Sequence, residues 1–95
     1  MSVTFGIIGE RADDMDALGV RWANFHQEGA ATVLGAMGLL MDGTTEMVGE
    51  FAARDLAKEC KRILSYAQDP ELVRRVRQLA SVAQEAGDLG RIWYG

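Results

Sequence analysis

One cysteine, one proline and one histidine stand among the 95 residues, and each scarcity excludes a class of protein. A lone Cys60 forms no intramolecular disulfide, so the fold is not a disulfide scaffold. One Cys and one His do not make a structural zinc cage within a chain, since such cages take four ligands. A single proline is far from the composition of a collagen-like fibre, which is excluded. Aromatic residues are 7% of the chain and do not interleave with the basic run, apart from Tyr66, so no base-stacking platform is expected. The longest weakly polar stretch runs from Gly29 to Met41 and is too short and glycine-rich to span a bilayer. Met1 to Gly6 lacks a basic region followed by an apolar one, so no secretory signal is expected. The setting read from this is cytoplasmic.

What remains is 48% hydrophobic and 25% charged, the balance of a single globular domain spanning 1–95. The net charge of −4 makes nucleic acid an unexpected partner. It is unevenly spread. Residues 1–53 hold Arg11 and Arg21 against eight acidic groups. Residues 54–77 hold seven basic groups against Asp55, Glu59, Asp69 and Glu71.

Val3, Phe5 and Ile7 alternate with Ser2, Thr4 and Gly6, the period of a strand over 3–8. Asn24, with Gln27 three residues on, reads as a capping box opening a helix over 25–38, and Gly38 fits its left-handed end. Gly29 and Gly35 inside that helix each cost about 1 kcal/mol against alanine, which points to a closely packed neighbouring backbone. Phe51, Ala52, Leu56, Cys60, Ile63 and Leu64 recur at helical spacing over 50–66. Asp69-Pro70-Glu71 is a strong start signal for a third helix over 70–86, with Gly87 as its stop. Arg91-Ile92-Trp93-Tyr94 has strand character and needs the N-terminal strand as partner. The fold class expected is α+β, three helices on a small sheet formed by the N- and C-terminal strands.

Catalytic machinery is sparse. His26 has no nucleophile-elbow serine for company, and Cys60 reads as a core residue, although Lys61 and Arg62 beside it would lower a thiol pKa. Asp14 and Asp16 begin a calcium-loop pattern that lacks its glycine and distal glutamate. Asp42, Glu46 and Glu50, four apart, share a face only if that stretch is helical. Gly6-Ile7-Ile8-Gly9 lacks the remainder of a phosphate-binding turn. No catalytic residue, cofactor or metal is assigned. Two surfaces stand out instead. Arg54, Lys58, Lys61 and Arg62, with Arg74, Arg75 and Arg77 on the next helix, are placed to form a basic ridge for an anionic metabolite or nucleotide. Met37, Leu39, Leu40, Met41 and Met47 make a candidate apolar interface, hence an expected homodimer.

Three stretches occur together: Asn24–Leu39 closing on Met37-Gly38-Leu39, the run Gly49-Glu50-Phe51-Ala52-Ala53-Arg54-Asp55-Leu56 with its basic continuation, and Leu79–Asp88 followed by Ile92-Trp93. The combination resembles a group of small bacterial and bacteriophage proteins of unknown function. The resemblance covers about two thirds of the chain. Gln27 and Gly29 depart from it, standing where such proteins often carry asparagines, and the 66–70 connector is shorter. It implies a phage or prophage setting and brings no catalytic residue. The expectation is therefore a non-enzymatic interaction protein that binds and modulates, by inhibition, a host protein such as a defence component. The alternative is a binder of a small anion.

Overall fold

Four strands and three helices are formed in a computed structural model that describes residues 2–8, 22–38 and 49–95. In chain order they are β1 (Ser2–Ile7), β2 (Trp22–His26), α1 (Gln27–Ala36), β3 (Gly49–Ala52), α2 (Ala53–Leu64), α3 (Pro70–Ala86) and β4 (Arg91–Tyr94). The sheet is antiparallel throughout, ordered β2-β1-β4-β3. The terminal strands pair as expected, with Phe5 opposite Tyr94 and Ile7 opposite Ile92. This is the α+β arrangement anticipated above, with two further strands.

Strand periodicity sorts the sheet into two faces. Val3, Phe5 and Ile7 are buried, as are Ala23 and Phe25 on β2 and Ile92 on β4. The helices close over this face with Val33 and Leu34 of α1, Leu56, Cys60 and Ile63 of α2, and Val76, Leu79 and Val82 of α3. Among the described residues no polar or charged side chain is buried. On the opposite face the register sets Trp22, Gly6, Trp93 and Glu50 in one cross-strand row. Beside that row Asn24 donates to the hydroxyls of Ser2 (3.2 Å) and Thr4 (2.7 Å).

Two helix starts depart from expectation. Asn24 is no cap, since its amide ties β2 to β1; α1 instead begins after His26, which makes no side-chain capping bond. Helix α2 begins at Ala53 rather than at Glu50, because Phe51 pairs opposite Ile92 and Glu50 opposite Trp93 in the sheet. The third helix is as read: the Asp69 carboxylate accepts from the Glu71 amide (3.2 Å), Pro70 occupies the first turn, and Gly87 ends it at φ +80°. Gly38 takes φ +73° just beyond α1, the left-handed position expected of it. The calcium-loop residues Asp14 and Asp16, with Asp42, Glu46 and Gly9, lie outside the described residues.

The two helix glycines differ in their surroundings, and among the described residues the atoms nearest to Gly29 belong to side chains rather than to a backbone. Around Gly35 nothing among the described residues comes within 4 Å of where a Cβ would sit. At Gly29 a Cβ would lie 2.7 Å from Nε of Arg75 and 3.1 Å from Cε1 of His26. Gly35→Ala is expected to stabilise the protein by about 1 kcal/mol, the ordinary helix gain. Gly29→Ala is expected to lose that gain, because the Arg75 side chain, only 12% exposed, has little room to retreat. Denaturant midpoints of the two variants check this, and equal gains would contradict the packing at Gly29.

Candidate functional site

The basic residues of α2 and α3 divide by what they touch. Arg62 is committed to structure: its guanidinium binds the Glu59 carboxylate at 2.6 and 3.0 Å and donates to the Ala36 carbonyl at 2.9 Å. That carbonyl closes α1, where a cation suits the negative end of the helix dipole. Hydrogen bonding to Glu59 holds the Arg62 pKa above its already high ordinary value.

Arg74 and Arg75 share Glu71, at 2.8 and 3.4 Å. The Arg74 hydrogen bond, more than any other contact, holds the Glu71 carboxyl below the usual glutamate range. Arg75 is folded against the first turn of α1, over Gly29 and beside His26. The seven cations are thus not equivalent, since Arg62, Arg74 and Arg75 each hold a carboxylate of their own helix. Glu59 precedes Arg62 by three residues, and Glu71 precedes Arg74 and Arg75 by three and four. These are the helical spacings at which opposite charges meet.

Arg54, Lys58, Lys61 and Arg77 remain. All are exposed, and none has an ion pair or side-chain hydrogen bond among the described residues. The spacing of four and three sets Arg54, Lys58 and Lys61 in one row along α2. Ala53, Leu56, Cys60 and Ile63 bury the other side of the helix, so the row points away from the core. Ala57 is exposed on the same side. Arg77 is exposed on α3, the second arm of the helical hairpin. Exposed cations without partners are free to attract an anion, and such a row can steer association and take part in ion pairing.

Cys60 is 1% exposed, and burial, with the Glu59 carboxylate adding to it, pushes the thiol from 9.0 up to about 12. Lys61 and Arg62 do not activate it, because both point to solvent while the sulfur faces the core. At pH 8 its thiolate population is about a thousandfold below that of a free thiol. The folded state prefers the protonated thiol, so this contribution to stability is complete below pH 9.0 and is lost as pH rises toward about 12. Native protein is expected to resist Ellman's reagent at pH 8 and to react at one thiol per chain in guanidinium. Fast native reaction would place the sulfur at the surface.

His26 is exposed, at the junction of β2 and α1. Glu50 pairs with Arg91 at 2.8 Å in the sheet, so it shares no helical face with Asp42 and Glu46. Met37 is 8% exposed in the core, which removes it from the candidate interface. Leu39, Leu40, Met41 and Met47 lie outside the described residues. No group of three metal-ligating residues occurs among the described residues, and no described helix is long and apolar enough to cross a membrane. Comparison with family models, with curated proteins and with solved structures gives no match for this chain.

Proposed function

We propose that this chain is a non-enzymatic interaction protein, acting in a phage or prophage setting, that binds a host protein such as a defence component and inhibits it. Its contact surface is the outward face of α2. The observation that carries this reading is the row of Arg54, Lys58 and Lys61, exposed and, among the described residues, without an ion pair on a chain whose net charge is −4. A local patch opposite in sign to the rest of a molecule orients it toward an acidic partner. A second reading uses the same cations for a small anionic metabolite or nucleotide.

The test is capture from host lysate on the tagged chain, followed by binding of the identified protein in purified form. One protein retained by the wild type and lost from Arg54→Glu/Lys58→Glu/Lys61→Glu, with melting unchanged, is the expected result. Native mass spectrometry runs beside it. An anionic adduct that leaves on denaturation, with no protein retained, would replace this reading with the second.

A further inference from the structure

The row on α2 has a geometry that selects among acidic partners, and the selection rests on the reading of the chain as a protein binder. We propose that the partner segment seated on it is an α-helix presenting carboxylates at the matching spacing of four and three residues.

Axial distance is the first argument. Arg54, Lys58 and Lys61 span seven residue steps, which at the helical rise is about 10 Å, with gaps of about 6 and 4.5 Å. A facing helix with acids at i, i+4 and i+7 has the same gaps, whereas same-face residues of an extended strand recur about every 6.6–6.8 Å. Cross-section is the second. Ala57, small and exposed beside the row, keeps that side of α2 low, and small contact residues allow helices to approach to about 8 Å.

The third argument is what the row is not. A small anion is normally held by donors that converge on it in a concave site, while these three side chains are spread along the exposed face of one helix. A nucleic acid is a long polyanion whose affinity comes from many phosphate contacts. Leaving aside Arg54, Lys58, Lys61 and Arg77, six cations against fourteen acids make the remainder of this chain eight charges negative, which repels such a ligand. A short acidic helix meets the row and little else.

The experiment is fluorescence anisotropy with the full chain and two labelled alanine-rich peptides of equal length and composition. One carries glutamates in the four-and-three pattern on one helical face; the other distributes them around the helix. Three surface-type ion pairs together are expected to favour the patterned peptide by about tenfold, and salt to weaken it. Arg54→Gln/Lys58→Gln/Lys61→Gln should abolish the preference. Arg74→Gln, whose guanidinium already pairs with Glu71, should keep it. The neutral triple variant retains glutamine's helix propensity, and its circular dichroism confirms folding.

Equal affinity for both peptides would overturn the inference, as would tighter binding of ATP or of a single-stranded oligonucleotide in the same assay. A partner captured from lysate and retained by the charge-reversed variant would also overturn it, and with it the α2 contact surface, while leaving a protein-binding role elsewhere on the chain standing. Patterned binding with no host protein captured would do the reverse.

Discussion

Phe5→Ala is expected to remove about 3–5 kcal/mol of stability, the range for deleting a fully buried aromatic side chain. Phe5 is wholly buried on the second strand of the sheet, with Ala23 opposite it on one side and Tyr94 on the other. Its ring lies 5.7 Å from that of Phe25 and 5.4 Å from that of Tyr94, the latter stacked. Tyr94 in turn lies 5.1 Å from Phe51, so one ring supports contacts across all four strands. Truncation leaves a cavity that the sheet backbone cannot close. A domain of this size has roughly 5–14 kcal/mol in all, so the variant should be marginal at physiological temperature, with Tm lower by about 15–30 °C. Guanidinium titration should move the midpoint with little change in slope. Phe5→Leu, closer in volume, should cost much less. A loss below about 1 kcal/mol for the alanine variant would place Phe5 outside the core.

Gly90→Ala is the second large effect, expected at about 3 kcal/mol from overpacking against backbone. A Cβ at this position would lie 2.8 Å from the carbonyl carbon and 2.9 Å from Cβ of Ala86, with the Ala86 oxygen closer still. None of these atoms ends a flexible side chain. Gly90 is also anchored on both sides: its amide donates to the Gly87 carbonyl (3.0 Å) and its carbonyl accepts from Ala53 (2.9 Å). Relief of the clash would therefore shift the end of α3 or the β3–α2 junction. Thermal unfolding of Gly90→Ala beside Gly35→Ala measures this. Similar stabilities for the two would mean that the α3–β4 turn opens freely.

How far the fold was legible depended on the range of each signal. Asp69, Pro70, Glu71 and Gly87 act within a turn of their own positions, and they marked both ends of α3. The alternation of Val3, Phe5 and Ile7 marked β1 in the same local way. Strand β2 was hidden because Asn24 and Gln27 fit a capping box, while the Asn24 amide is taken by Ser2 and Thr4 some twenty residues away. Strand β3 was hidden because Phe51 and Ala52 continue the helical spacing of Leu56 and Cys60. Pairing with β4 outweighs that periodicity. In the candidate site, the loss of Arg62 and Arg74 to Glu59 and Glu71 was readable from helical spacing. The pairing of Arg75 with Glu71 was readable in the same way, but its seat against α1 was not, since that depends on the missing side chain of Gly29 on another helix.

The sequence by itself determined the α+β class, the terminal strands, the third helix, the core role of Cys60 and the concentration of positive charge between residues 54 and 77. Each follows from composition or from interactions within a few residues. Tertiary structure alone decided which helical-looking residues enter the sheet, where α1 and α2 begin, and which cations stay free on the outside of α2. The physical reason is that strand pairing and side-chain burial join residues tens of positions apart. Their free energies exceed the local preferences of about 1 kcal/mol that a sequence displays.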